Sequence, residues 1–122
     1  MATEPIDPRG GTPQFRVRAT QGCMIVEAVG EIDIVTAPDL RDALLTCGEA
    51  ARVVVDLSAV TFLDCAGLSV LASAQRRTAE TCGSLSVVAP TGVAARVLRI
   101  THFEQIVPLH ATLEDAITAP HT

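Results

Sequence analysis

Asp64, Cys65, Ala66, Gly67 and Leu68 follow the apolar run Val53-Val54-Val55-Asp56-Leu57-Ser58-Ala59-Val60-Thr61-Phe62-Leu63. An acid, a thiol, a small residue and a glycine thus meet where a strand passes into a helix. A helix start favours an anion, so Cys65 could act as a nucleophile. Asp64 beside it opposes that charge, and no His lies close in sequence. His102 or His110 would have to approach through the fold, and no orienting group for a thiol enzyme is visible. Oxidation of Cys65 is a second chemistry, since a sulfinate or sulfonate would place negative charge at the helix start. A regulated protein contact is the third, because an exposed helix start beside a buried strand suits one.

Other chemistry finds less support. Glu31, Asp33, Asp56 and Asp64 are the acids to weigh. Paired-carboxylate hydrolysis needs a cleft, for which a small aliphatic core leaves little room. Asp56, inside an apolar run, is expected to bond to neighbouring backbone. His102, His110 and His121 do not pair with each other or with a cysteine at metal-ligand spacing, so no metal site is expected. Phosphate-cradling glycine motifs are absent from the sequence, and no cofactor is expected. Cys23, Cys47 and Cys82 read as small buried hydrophobes. An internal Cys65–Cys82 disulfide is excluded, because the intervening helix spans about 25 Å and a disulfide needs Cα atoms within about 7 Å.

These residues must be positioned by elements, and the hydrophobic periodicity indicates which. Gln14 to Thr20 alternates apolar and polar, a half-buried edge strand. Gln21-Gly22 is a turn, and Cys23 to Val29 a second strand paired antiparallel to the first. Gly30-Glu31-Ile32-Asp33 is expected to break that strand. Thr36 and Asp39 suggest a capping box, with Pro38 in the first turn. The helix behind it would bury Leu40, Ala43, Leu44 and Cys47 and stop at Gly48.

Arg52 to Leu57, with its valine triplet, reads as a central strand covered on both faces. A helix from Gly67 to Cys82 would carry a stripe of Leu68, Leu71, Ala72, Ala79 and Cys82, interrupted by Gln75, and end at Gly83. Leu85 to Ala89 is a strand stopped by Pro90. Thr91 would cap a third helix packed through Val93, Val97, Leu98 and Ile100. Ile106 and Val107 suggest a short last strand. Thr112 and Asp115 would box the start of a final helix bearing Leu113, Ala116 and Ile117. The order β-β-α-β-α-β-α-β-α predicts an α/β fold with a mixed, mostly parallel sheet flanked by helices.

The 122 residues fit one domain. Folding at that length buries roughly two thirds of the chain's surface. Apolar residues make up 48% but aromatics only 2%, namely Phe15, Phe62 and Phe103, so the core must be Val, Leu, Ile and Ala. The net charge is -5, and all nine basic residues are scattered arginines apart from Arg76-Arg77. That distribution argues against nucleic acid as a partner. No apolar run reaches the ~18 residues of a membrane span, and a cytoplasmic protein is expected. Residues 1–13, rich in Pro and Gly, read as a flexible tail rather than a signal segment. Residues 14–118 would form the domain, and 119–122 a C-terminal tail.

The element order, the Gly30-Glu31-Ile32-Asp33 turn and the Val54-to-Leu68 segment together resemble the STAS domain of bacterial anti-sigma factor antagonists. The similarity runs from about Phe15 to Ile117. The resemblance implies a protein that is not an enzyme. It captures an anti-sigma factor that is also a GHKL-type serine kinase, and so frees a sigma factor. In the family the kinase phosphorylates a Ser that follows Asp, and a phosphatase reverses this. Here that position is Cys65, and Ala66 follows. Ser58, Thr61 and Ser69 are nearby hydroxyls, but none occupies the matching place. The resemblance puts the partner face on Glu31, Asp33, Asp64, Cys65, Ala66, Gly67, Leu68 and Ser69. Asp33 and Asp64 would offer charge to a partner arginine. Gly67 would allow close backbone approach, with internal packing as the other reading of Gly67 and Leu68. Three modes of action follow: a constitutive antagonist with an inert Cys65, a redox-controlled one, or a scaffold or accessory domain in another signalling or transport complex.

Overall fold

Val53, Val54 and Val55 are buried from both sides of a sheet, as a run with no polar face requires. Val53 and Val55 join the larger core with Leu85 and Val87, while Val54 joins a smaller cluster with Ile25, Val88 and Ala116. The computed structural model describes residues 13–119. The tails expected at 1–13 and 119–122 lie outside it, apart from Pro13 and Ala119, and so does His121.

Five strands stand in chain order across one sheet: β1 (Phe15–Thr20), β2 (Cys23–Ile32), β3 (Arg52–Leu63), β4 (Ser84–Val88) and β5 (Leu109–His110). β1 and β2 pair antiparallel; the other three pairs are parallel. The helices are α1 (Ala37–Thr46), α2 (Cys65–Glu80), α3 (Gly92–Ile100) and α4 (Leu113–Thr118). The first three supply Leu40 and Leu44, Leu71 and Ala74, and Ala94, Ala95 and Leu98 to the larger core. α4 covers the opposite face through Ala116. The mixed sheet flanked by helices is therefore the expected architecture.

Several boundaries differ from the sequence reading. β2 does not break at Gly30 but runs to Ile32, and β3 runs past Leu57 to Leu63. Two register shifts explain this. Between Glu27 and Val29, and again between Gly30 and Glu31, β3 gains a residue on β2. Such bulges spoil the period-two pattern by which a strand is recognised. Leu57, Val60 and Leu63 are the buried residues, three apart. Gly30 takes φ +79° at the second shift, which suits a glycine.

α2 starts at Cys65, not Gly67, and ends at Glu80. Its last turn closes through Cys82 N–H to Ala79 O (3.1 Å) and Gly83 N–H to Thr78 O (2.8 Å). The left-handed residue there is Cys82, φ +61°, rather than Gly83. Cys82 is consequently exposed, unlike the buried Cys23 and Cys47. Ala79 is exposed too, and Gly67, Leu71 and Ala74 form the buried face. α3 buries Ala94, Ala95 and Leu98, leaving Val93 and Ile100 outside. The last strand is Leu109–His110; Phe103–Gln105 is a 3-10 turn, with Ile106 exposed and Val107 buried behind it. Thr112 caps α4 as expected, its Oγ1 accepting from Asp115 N–H at 3.0 Å.

Candidate functional site

The end of β3 and the start of α2 form a corner against the end of β2. Across the ladder Glu31 faces Phe62 and Ile32 faces Leu63. Asp64 N–H then donates to Ile32 O at 3.3 Å, tying the first residue after β3 to the last of β2. Asp64 is the N-cap of α2. Its Oδ1 accepts from Ala66 N–H at 2.9 Å and from Gly67 N–H at 3.4 Å. An aspartate there satisfies orphan donors and complements the helix dipole.

Asp33 does comparable work in the turn before α1. Its Oδ1 accepts from the N–H groups of Val35 and Thr36, both at 3.0 Å. Asp33 N–H donates to Thr36 Oγ1 at 2.9 Å, and that hydroxyl donates to Glu31 O at 3.0 Å. The Gln14 side-chain amide donates to the same carbonyl. The backbone hydrogen bond from Thr36, with a second from Val35, holds the Asp33 carboxyl below its ordinary value against the opposing effect of desolvation. The expected Thr36–Asp39 capping box does not form. Thr36 makes no side-chain cap contact, because its hydroxyl is committed to the turn. Asp33 and Asp64 are therefore not two free charges: one oxygen of each is engaged by its own backbone.

All eight residues singled out from the sequence fall in this corner, in different states. Glu31, Cys65 and Ser69 are exposed, with Cys65 and Ser69 four apart on one helix face. Ala66 and Leu68 are half-buried, and Leu68 packs against the larger core. Gly67 is buried. A Cβ built on it would lie 2.6 Å from Leu63 Cδ1 and 2.8 Å from Ile32 Cγ2. Its missing side chain thus admits its own chain's Leu63 and Ile32, which is the packing reading, and leaves no backbone there for a partner to approach.

The sequence reading passed over three side chains at this corner. Ile34 and Val35 are each 78% exposed at the tip of the Asp33 turn, and Phe62 is 44% exposed at the end of β3. The signal was present: two consecutive apolar residues between Asp33 and the helix cap, in a segment with no period to bury them. Exposed apolar side chains gathered at one corner mark an interaction surface.

Enzyme chemistry is not assembled here. Cys65 makes no hydrogen bond among the described residues. His102 sits beside Glu104 at 3.8 Å, and His110 lies on β5, lining a cleft with Arg52 and Ser84 from the opposite end of the sheet. Among the described residues no cluster of His, Cys, Asp or Glu could hold a metal ion.

A family model described as the STAS domain matches residues 14–116. The chain belongs to the STAS domain family. It is 32% identical over 99 residues to the anti-sigma-F factor antagonist RsfB of Mycobacterium tuberculosis, covering 80% of each chain. It is 26% identical over 100 residues to RsfA, a second anti-sigma-F factor antagonist of that organism, covering 79% of this chain and 78% of the other. Among solved structures it resembles an anti-sigma factor antagonist from Mycobacterium paratuberculosis at 36% identity and a TM-score of 0.79, with 86% of this chain and 91% of the other covered. Within this STAS domain no helix of the described residues is long and apolar enough to cross a membrane.

Proposed function

We propose that the protein is an anti-sigma factor antagonist that captures an anti-sigma factor at the β2–α1 and β3–α2 corner. The observation that carries this reading is the pair Ile34 and Val35, each 78% exposed on a turn pinned from within by Asp33 and Thr36. A pinned turn holds two apolar side chains in water without loss of entropy on docking, which favours a waiting partner. Kinship with RsfB and with the Mycobacterium paratuberculosis antagonist supports the choice of partner class. The partner is an anti-sigma factor of the GHKL serine-kinase type, met in the cytoplasm, and its capture frees a sigma factor. Glu31, Cys65, Ser69 and the outer parts of Ala66 and Leu68 extend the surface around Ile34, Val35 and Phe62. The protein works by binding, not by turnover.

Control differs from that of a serine-bearing antagonist. Cys65 stands at the helix start without a hydroxyl, so the kinase finds no acceptor there and a phosphatase has nothing to remove. The protein then acts constitutively, its output set by abundance. The exposure of Cys65 keeps oxidation as the second reading, and the equally exposed Cys82 is the internal control for it.

Co-purification of the anti-sigma factor from native extract, with and without reductant, tests both. Capture in both conditions supports constitutive binding. Capture only with reductant supports redox control. Phosphate transferred stoichiometrically to any residue by a GHKL-type kinase and ATP would overturn the constitutive reading.

A further inference from the structure

Gln75 interrupts the apolar stripe of α2, and the corner above does not use it. Its Oε1 is buried and meets no donor in the protein. A buried acceptor without a partner is costly, and native structures carry few. Gln75 lines a cleft of about 360 Å³ at the end of the sheet opposite the docking corner. That volume is within the range of small-ligand sites, roughly 300–1,000 Å³. Arg52, Ser84, Ser86, Pro108 and His110 also line it, and no acidic residue does. Ser86 is only 8% exposed, a buried polar side chain in an otherwise aliphatic core.

The edge of β4 adds backbone groups. β5 pairs only with Val87 and Val88, so residues 84–86 have no strand on that side. Ser84 N–H donates to Ala51 O, toward β3, whereas Val87 N–H donates to Pro108 O and Ala89 N–H to His110 O, toward β5. By this alternation Leu85 turns its N–H and C=O to the cleft. The residue that would continue the ladder is Pro108, which has no N–H to give Leu85 O. The cleft therefore offers two acceptors, Gln75 Oε1 and Leu85 O. It also offers donors: Leu85 N–H, the Ser84 and Ser86 hydroxyls, and the guanidinium of Arg52. The latter spends Nη1 on Ile117 O at 2.7 Å, and has no carboxylate partner among the described residues.

We infer that this cleft is a binding site for a small molecule carrying a carboxylate and an N–H donor, the size of an amino acid or dipeptide. The carboxylate faces Arg52 and the serine hydroxyls, and the N–H groups face Gln75 Oε1 and Leu85 O. A nucleotide is a poor fit, because no aromatic ring lines the cleft to stack a base.

Titration of the full chain with glycylglycine, glutamate and glutamine, followed by amide NMR, tests the site, with acetate as the control that lacks the N–H donor. The expected result is saturable shifts centred on Gln75, Leu85, Ser86 and His110 for at least one of the three, with affinity about tenfold or more above acetate, the scale of one added hydrogen-bonded contact. Gln75→Met should keep the fold, judged by the remaining amide spectrum, and weaken that ligand about tenfold. Ser86→Ala should weaken it as well. No saturable shift by about 10 mM, the weak limit of a specific small-ligand site, overturns the proposal. Shifts no stronger than those of acetate, or binding unchanged in both variants, do so equally and leave a solvent-filled cleft.

Discussion

Gly67 has no room for a methyl group, and that fact fixes the residue more firmly than any partner could. A Cβ would stand 2.6 Å from Leu63 and 2.8 Å from Ile32. Overpacking of this kind costs typically 1–3 kcal/mol, against a gain of about 1 kcal/mol in helix propensity. Gly67→Ala should therefore lose roughly 1 kcal/mol of stability in a urea titration, and Leu63→Ala in the same chain should make the added methyl cheaper. If the two losses simply add, the contact is not as tight as drawn. Asp33 carries the pH dependence of the corner. Its carboxyl is held low chiefly by the Thr36 backbone hydrogen bond. A depressed acid stabilises the fold above its unfolded value, near 3.9, and that stabilisation vanishes as pH falls through the lower, folded value. Asp33→Ala should thus be less stable than the parent at neutral pH. The gap should close as pH falls from about 4, read from unfolding midpoints at each pH.

At the scale of elements, both ends of α2 are built unusually. The start relies on Asp64, whose Oδ1 accepts from two backbone N–H groups. Asp64→Ala should cost about 1 kcal/mol, the usual worth of an N-cap. Amide exchange should quicken first at Ala66 and Gly67. The far end places Cys82 in the left-handed conformation at φ +61°, where a glycine is usual. Gly83 follows because a Cβ there would press on Ala50 O and Ala51 O, at 3.2 and 3.1 Å. Cys82→Gly relieves the backbone penalty of about 1 kcal/mol and should raise the thermal midpoint by a few degrees. A lowered midpoint would show that the thiol contributes contacts that offset its strain. The element most easily misread was β3. Its two bulges against β2 space the buried Leu57, Val60 and Leu63 three apart, a rhythm that resembles no strand.

For the whole molecule, two ends of one sheet have different work. The end carrying Glu31, Phe62 and Cys65 holds the exposed apolar corner, while the end carrying Arg52 and Ser84 holds the polar cleft. Ile34→Asp should weaken capture of the anti-sigma factor about 10- to 100-fold, the equivalent of burying one aliphatic side chain, roughly 1.5–3 kcal/mol. Thermal stability should hardly change, since Ile34 is 78% exposed. Equal affinity of the variant and parent, measured by calorimetry, would place the docking face elsewhere.

The amino-acid sequence determined the class of fold, the burial of Val53–Val55 on both faces and the position of Asp64 and Cys65 at a helix start. Alternation, apolar runs and capping chemistry are local, and a chain states them residue by residue. Only the tertiary structure decided where β2 and β3 end, because a bulge is a relation between two strands. It turned Val93 and Ile100 outward, since the two-sided packing of α3 selects the smaller Ala94 and Ala95 for the sheet. It also assigned one oxygen each of Asp33 and Asp64 to backbone donors, and left Ile34 and Val35 in solvent with nothing in their own chain to cover them.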